Sequence, residues 1–163
     1  MTIPSRLTFA LGIACVLLLH HTVRPLLGWR IEVDWQVIAL VLMAWRVRPG
    51  LAALIGFGLG VIMDALVPAA FGAGALALTL VGYAAARFRT GFFGASVAVG
   101  TVIVALGKYL VDVAVVVAEG RLRGVGLAAQ LGLWSPLSAA LTALVGAGLL
   151  GLARTEAPGP RRR

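Results

Sequence analysis

The sequence has few of the residues that build metal or catalytic sites in soluble proteins. Its one cysteine, Cys15, excludes an internal disulfide and a cysteine metal cluster. Only 12% of its residues are charged, whereas about a quarter of an ordinary soluble domain is charged. The two histidines, His20 and His21, are adjacent, so on a helix they point about 100° apart and cannot face one metal ion together. We therefore expect neither a metal nor another cofactor.

Motifs for catalysis are missing as well. None of the serines lies in a G-x-S-x-G nucleophile elbow. Gly56, Gly58 and Gly60 lie inside an apolar run and lack the strand, turn and helix of a dinucleotide-binding loop. The net charge of +8 comes from basic residues spread in ones and twos at the ends of apolar runs, which is typical of topology-setting Lys and Arg. We expect a protein that is not an enzyme and does not bind nucleic acid.

Long apolar runs are what the sequence does have. Apolar residues make up 61% of the chain and the mean hydropathy is +1.02, which indicates an integral membrane protein. The runs are continuous, so they favour an all-α helical bundle over a β-barrel. We predict one transmembrane domain over residues 1–155 and a short, basic, disordered tail over residues 156–163. The six predicted spans lie at about Leu7–Val23, Val33–Trp45, Leu51–Val67, Phe71–Ala86, Phe92–Ala118 and Leu127–Ala153.

The distribution of Lys and Arg predicts the orientation of the bundle, because cytoplasmic loops carry an excess of basic residues. With the N-terminus inside, nine basic residues face the cytoplasm and four face outward, so both termini are expected in the cytoplasm. The second span, with about 13 residues, is short for a membrane-spanning helix. If it does not span, five spans with the N-terminus outside place ten basic residues inside and three outside, so this alternative stays open.

Few polar side chains lie within the predicted spans, where a carboxylate in hydrocarbon is energetically costly. Lys108 and Asp112 are four positions apart, share a helix face and can pair. The pair can neutralise itself at the interface, form a buried polar site for a partner or ligand, or belong to a proton or ion relay. Asp64 lies near the outer end of the third span, where it can bond to the neighbouring loop or contact a partner. The helical rise places these three residues, with His20 and His21, in the outer third of the membrane.

Gly56 and Gly60 form a G-x-x-x-G face, which lets another helix approach closely. That helix can belong to the same bundle or to another membrane protein, and the sequence does not separate the two. The candidate binding or partner-contact residues are therefore Asp64, Lys108, Asp112, Gly56 and Gly60.

The stretch from Asp34 to Arg89 combines several short motifs. An acidic residue, Asp34, heads the second span and is followed by V-L-M-A-W-R-V-R-P-G and F-G-L-G-V-I-M-D-A-L. Gly72, A-L-A-L-T-L and V-G-Y complete the stretch, which covers about a third of the chain. With the length and the six-span pattern, these motifs resemble the bacterial rod-shape-determining MreD family. Asp64 matches the family's acidic position on the third span.

The resemblance implies a non-enzymatic subunit of the cell-elongation complex in the bacterial inner membrane. Such a subunit works beside MreC, the MreB cytoskeleton, RodA and its penicillin-binding partner, and it controls lateral peptidoglycan synthesis. It also implies a six-helix fold like the substrate-binding S components of energy-coupling-factor transporters.

Two other functions stay open. One is an S-component-type subunit that binds a small vitamin-like ligand for uptake. The other is a small ion or proton channel built around Asp64, Lys108 and Asp112. A ligand site usually needs several convergent polar and aromatic groups, and this chain offers few of them. We therefore favour a membrane scaffold.

Overall fold

The protein is described here by a computed structural model that covers residues 32–66, 71–89, 96–120 and 125–155. Within these ranges the chain is helical and has no strand, which confirms the all-helical prediction. The helices are α1 (Trp35–Ala44), α2 (Pro49–Leu66), α3 (Ala73–Arg89), α4 (Val97–Ala118), α5 (Val125–Ala129) and α6 (Ser135–Thr155), with a π-helical turn at Gln130–Trp134. The first predicted span, Leu7–Val23, with Cys15, His20 and His21, and the predicted tail at 156–163 lie outside the described residues.

The short helix α1 forms the centre of the bundle. Its 10 residues extend for about 15 Å, half of the roughly 30 Å thickness of a hydrocarbon core. It packs against α2, α3, α4 and α6, and its apolar side chains, including Val37, Ile38 and Leu40, are buried. A helix that is apolar all round is stable when protein surrounds it. The short second run of the sequence therefore builds the core of the bundle.

Helices α4 and α6 both neighbour α1 and run antiparallel to each other. Gly100 at the start of α4 lies beside Leu150 near the end of α6, and Val104 lies beside Gly146. Ile38 of α1 also approaches Gly146. The small residues on these helices therefore let α1, α4 and α6 pack closely together.

The structure revises several predicted boundaries. The third predicted span begins at about Leu51, whereas Pro49 is the first residue of α2. Proline fits this position because the first turn of a helix does not need its missing N–H. Gly72 (φ 96°) precedes α3 and Gly120 (φ 67°) follows α4, and both have the left-handed backbone that favours glycine.

The sixth predicted span is not one continuous α-helix. Residues 125–155 form α5, the π-helical turn and α6 in direct succession. A π-helical turn inside a helix changes the direction of the side chains that follow, and such turns are frequent at functional sites. Its first residue, Gln130, lies at the candidate site described below.

Within the part of the chain that the structure describes, two helical segments, Val97–Ala118 and Leu127–Leu152, are long and apolar enough to cross a membrane. Shorter apolar helices occur at Trp35–Ala44 and Pro49–Ala65. Large apolar side chains also cover the outside of the bundle, including Leu54, Leu76, Leu106 and Leu144. Such extensive apolar exposure marks a membrane or protein contact surface. The helices and the surface together indicate a membrane protein.

Candidate functional site

The carboxylate of Asp64 caps the helix that follows it in the chain. Asp64 is buried near the end of α2. Its Oδ2 accepts hydrogen bonds from the backbone N–H groups of Gly72 and Ala75, both at 2.9 Å, and its Oδ1 accepts one from Gly74 at 3.0 Å. The first N–H groups of a helix lack partners within it, and the helix dipole favours negative charge there. The interpretation that Asp64 bonds to the neighbouring loop is therefore confirmed.

The G-x-x-x-G face of α2 packs against α3 of the same chain. A methyl group built on Gly56 would overlap the carbonyl group of Leu78, and one built on Gly60 would overlap the backbone of Ala75. Gly58, between these two glycines, has no atom within 4 Å of such a methyl group. The sequence left open whether this face contacts a helix of the same bundle or of another membrane protein. In the structure it contacts α3 of the same chain.

Lys108 and Asp112 form the ion pair that their spacing predicts. Nζ of Lys108 lies 2.5 Å from Oδ1 of Asp112 on the same helix. The same ammonium lies 3.8 Å from Oδ2 of Asp34, which precedes α1. Lys108 is 8% exposed and Asp34 is 5% exposed. We call these three residues, Asp34, Lys108 and Asp112, the charged cluster.

The two carboxylate oxygens of Asp34 have different contacts. Oδ1 accepts hydrogen bonds from the N–H groups of Gln36 at 3.1 Å and Val37 at 3.2 Å, so Asp34 is the N-cap of α1. Oδ2 faces Lys108 of α4. The backbone N–H of Asp34 donates to Oγ1 of Thr142 on α6 at 3.1 Å. Asp34 therefore connects α1, α4 and α6.

Two hydroxyl groups of α6 hold the extended segment that precedes α1. Oγ of Ser138 donates to the carbonyl of Glu32 at 2.5 Å and accepts from the N–H of Glu32 at 3.2 Å. Thr142, one turn further along α6, accepts the N–H of Asp34. The spacing of four residues places both hydroxyls on one helix face. They satisfy backbone groups that would otherwise be costly to bury in apolar surroundings.

A cavity of about 130 Å³ lies beside the charged cluster. Its polar lining comprises the cluster together with Glu32 and Gln130. Its apolar lining comprises Val33, Met63, Val111, Val115 and Val116. The cavity lies where α1 begins and α2 ends, beside the second half of α4.

Asp64 and the pair of Lys108 and Asp112 do not form one site. Met63, the neighbour of Asp64, lines the cavity together with Lys108 and Asp112. The carboxylate of Asp64 itself is bonded to the start of α3. The other two residues of the predicted convergence, His20 and His21, lie outside the described residues.

Sequence reasoning missed part of the site. The sequence analysis singled out Asp34 only as part of the family resemblance, although an acidic residue directly before an apolar run is a signal for a helix N-cap. Glu32, Ser138 and Thr142 were not predicted at all. The four-residue spacing of the two hydroxyls on an apolar helix is a signal, but it does not identify the segment that they bind.

The charged cluster is an arrangement of ion pairs. Among the residues that the structure describes, no group of three or more His, Cys, Asp or Glu side chains could hold a metal ion. Two carboxylates instead share the ammonium of Lys108. Removal of Lys108 would therefore leave both carboxylates without this compensating charge.

No family model matches the chain, and neither a curated protein nor a solved structure matches it. The fold and the site nevertheless define a class: an all-helical protein, with helices long and apolar enough to cross a membrane and a charged cluster beside a small cavity. A more specific function has to be inferred from this geometry and from the motifs between Asp34 and Arg89.

Proposed function

We propose that the chain is a multi-pass scaffold of the bacterial inner membrane, similar to MreD, that acts in the cell-elongation complex. It binds an MreC-like protein and works with RodA, its penicillin-binding partner and the MreB cytoskeleton. Through these protein contacts it helps to regulate lateral peptidoglycan synthesis and cell shape. The motifs between Asp34 and Arg89 and the small size of the cavity support this proposal.

The size of the cavity is the observation that carries the proposal. Sites for drug-sized molecules usually have volumes of about 300 to 1,000 Å³. The cavity beside the charged cluster has about 130 Å³, which is too little for a vitamin-like ligand. The residues around it also join α1, α4 and α6 to one another. Among the described residues, this cavity therefore has too little room for the ligand of an S-component-type subunit, which supports a binding surface on the outside of the bundle.

The outside of the bundle offers suitable surface for helix partners. Leu54 and Phe57 on α2, Leu76 on α3, Leu106 on α4 and Leu144 on α6 are all exposed large apolar residues. Within a bilayer such side chains face lipid or pack against other membrane helices. We propose that part of this surface contacts the elongation proteins and that the bilayer covers the rest.

We also propose six spans with both termini in the cytoplasm. The nine-to-four distribution of basic residues supports this orientation. The burial of α1 among α2, α3, α4 and α6 supports its inclusion in the membrane domain, as opposed to a cytoplasmic loop.

Cysteine labelling tests this topology in a variant that lacks Cys15. A cysteine at Val47, between α1 and α2, should resist a membrane-impermeant reagent added from outside. A cysteine at Gly28 should react with it, because only the six-span arrangement places that loop outside. Labelling at Val47 from outside would contradict the proposed orientation, and protection at Gly28 would favour five spans.

Site-specific photo-crosslinking in growing cells tests the scaffold function. A crosslinking amino acid is placed at one exposed position at a time, Leu54, Leu76, Leu106 or Leu144, and at the buried Leu78 as a matched control. Adducts with MreC-like or RodA-like proteins at exposed positions, and none at Leu78, are expected. Adducts with transporter ATPases instead, or no protein adduct at any exposed position, would contradict the proposal.

A further inference from the structure

We infer that the end of the bundle at which α1 and α3 terminate binds the phosphate group of an anionic phospholipid such as phosphatidylglycerol. Four arginines lie there, outside the candidate site: Arg46 and Arg48 between α1 and α2, and Arg87 and Arg89 in the last turn of α3. We call these four residues the basic patch. Such binding rests on the membrane location in the proposed function but not on the scaffold role. Its test uses purified protein without partners, so its failure would leave the labelling and crosslinking tests unaffected.

Helix packing brings the arginines to the same end of the bundle. Helices α2 and α3 pack antiparallel, and a methyl group built on Gly82 of α3 would overlap the carbonyl group of Ala52 of α2. Arg48 precedes Ala52 by four residues, and Arg87 follows Gly82 by five. At a rise of about 1.5 Å per residue, both arginines lie about 6 to 8 Å beyond this contact and on the same side of it.

The acidic residues of the chain lie away from the basic patch. Five of the six Asp and Glu residues are within the described ranges: Glu32, Asp34, Asp64, Asp112 and Glu119. They lie before or at the start of α1, near the end of α2, and in the second half or at the end of α4. The basic patch lies at the opposite ends of α1 and α2, and α4 begins there, because Gly100 in its first turn lies beside Trp45.

This separation leaves the basic patch with a net positive charge. The sixth acidic residue, Glu156, lies outside the described residues and can neutralise only one of the four arginines. Arg46 and Arg87 also have contacts within the chain, so the variants below change Arg48 and Arg89. Guanidinium groups suit a phosphate because they present two parallel N–H donors to its oxygens. Four to eight Lys or Arg residues beside membrane helices are typical of sites for anionic lipid.

Exposed apolar side chains beside the arginines favour a lipid over an acidic protein segment. On α3, Leu80, Tyr83 and Arg87 follow one another at spacings of three and four, so they share a helix face. Leu51 lies three residues after Arg48, in the first turn of α2. Leu51, Leu80 and Tyr83 are each about half exposed. A phospholipid has the same order of groups, with a phosphate at the end of its apolar chains.

Lipid competition on the full-length purified protein provides the measurement. The protein is exchanged into mixed micelles with equal amounts of phosphatidylglycerol and phosphatidylcholine that have the same acyl chains, and retained lipid is quantified by native mass spectrometry. Both lipids contain a phosphate, but only phosphatidylglycerol has a net negative charge. We expect about tenfold preference for phosphatidylglycerol, which corresponds to about 1.4 kcal/mol. Higher ionic strength should lower the preference of the wild type, because salt screens exposed charges.

Double variants identify the site. Arg48→Gln combined with Arg89→Gln should abolish the preference. Arg48→Lys combined with Arg89→Lys should keep part of it, because lysine preserves the charge but not the paired donors. The matched control is Arg121→Gln combined with Arg123→Gln, which removes the same charge from residues that follow α4 in the chain. This control should retain the wild-type preference.

Several results would overturn the inference. Equal retention of the two lipids by the wild type is one, and a preference that does not respond to ionic strength is another; neither depends on the folding of a variant. A preference that the Arg48→Gln, Arg89→Gln variant retains, or that the control loses equally, would also contradict it. If the wild type retained both lipids equally but bound polyglutamate, and the glutamine variant did not, the occupant would be an acidic protein segment and not a lipid.

Discussion

Asp64 and Asp34 lie at the same end of the bundle, and each caps the N-terminus of a helix, yet their surroundings differ. Asp64 binds three backbone N–H groups of a segment that follows it closely in the chain. Asp34 uses one oxygen for its cap and turns the other toward Lys108 of a distant helix, beside a cavity. The contacts of Asp64 therefore serve only the connection between α2 and α3. Those of Asp34 also join a distant helix and contribute to the lining of the cavity.

The same contrast extends to the two regions that contain these residues. In the α2–α3 contact, neutral N–H groups satisfy a carboxylate, and two glycines bring the backbones together. In the charged cluster, opposite charges from separate helices balance one another. Loss of a hydrogen-bond partner and loss of a charge partner have different energetic consequences, so substitutions in the two regions should differ in size and in additivity.

The largest effect is expected from Lys108→Ala. This change leaves Asp34 and Asp112 without their shared cation, and breaking a buried ion pair costs about 3 to 5 kcal/mol. Combining it with Asp112→Ala should reduce the loss, because fewer uncompensated charges remain. Thermal unfolding of the purified variants in detergent measures both effects. If the loss in the double variant equalled the sum of the losses in the two single variants, the residues would not interact. The charged cluster would then not differ from the α2–α3 contact in additivity.

A smaller loss is expected from Asp64→Ala, because it leaves backbone N–H groups of Gly72, Gly74 and Ala75 without their acceptor. Replacing a side chain that caps the N-terminus of a helix by alanine costs about 0.5 to 2 kcal/mol. Asp64→Asn should lose less, since its amide oxygen can still accept. Melting temperatures of the two variants give the comparison. If Asp64→Asn were as damaging as Lys108→Ala, charge and not hydrogen bonding would dominate at Asp64.

Glycine substitutions on α2 test the close contact with α3. Gly60→Ala places a methyl group against the backbone of Ala75, and overpacking of this kind costs about 1 to 3 kcal/mol. Gly58→Ala is the matched control, because the space around Gly58 is open and alanine favours a helix by up to about 1 kcal/mol. Unfolding temperatures should therefore fall for Gly60→Ala and stay level or rise for Gly58→Ala. Equal responses would argue against a close α2–α3 contact.

The smallest effect is expected from Asp34→Asn. Asparagine preserves the N-cap of α1, and Lys108 keeps its closer partner, Asp112, so the loss should be smaller than those of the other changes. Asp34→Ala should cost about 1 kcal/mol more, because it also removes the cap. The difference in melting temperature between the two variants measures the contribution of the N-cap to stability. A larger loss for Asp34→Asn than for Asp34→Ala would contradict this division of roles.

The sequence by itself determined the features that depend on neighbouring residues. Continuous apolar runs predicted an all-helical chain, because backbone groups in apolar surroundings must bond within their own segment. The four-residue spacing predicted the pair of Lys108 and Asp112, and closeness in the chain made a bond from Asp64 to the following loop one of two expectations for that residue. These interactions need only helical geometry, which is the same in every fold.

Tertiary structure decided the features that join distant parts of the chain. The second run is too short to span a bilayer unaided, and only its position among four other helices explains its length and its burial. The approach of Asp34 to Lys108 depends on how α1 packs against α4, and the role of Ser138 depends on the segment that lies across α6. Spacing along one helix identifies which residues share a face but not which helix that face meets, because packing of the whole bundle sets that choice.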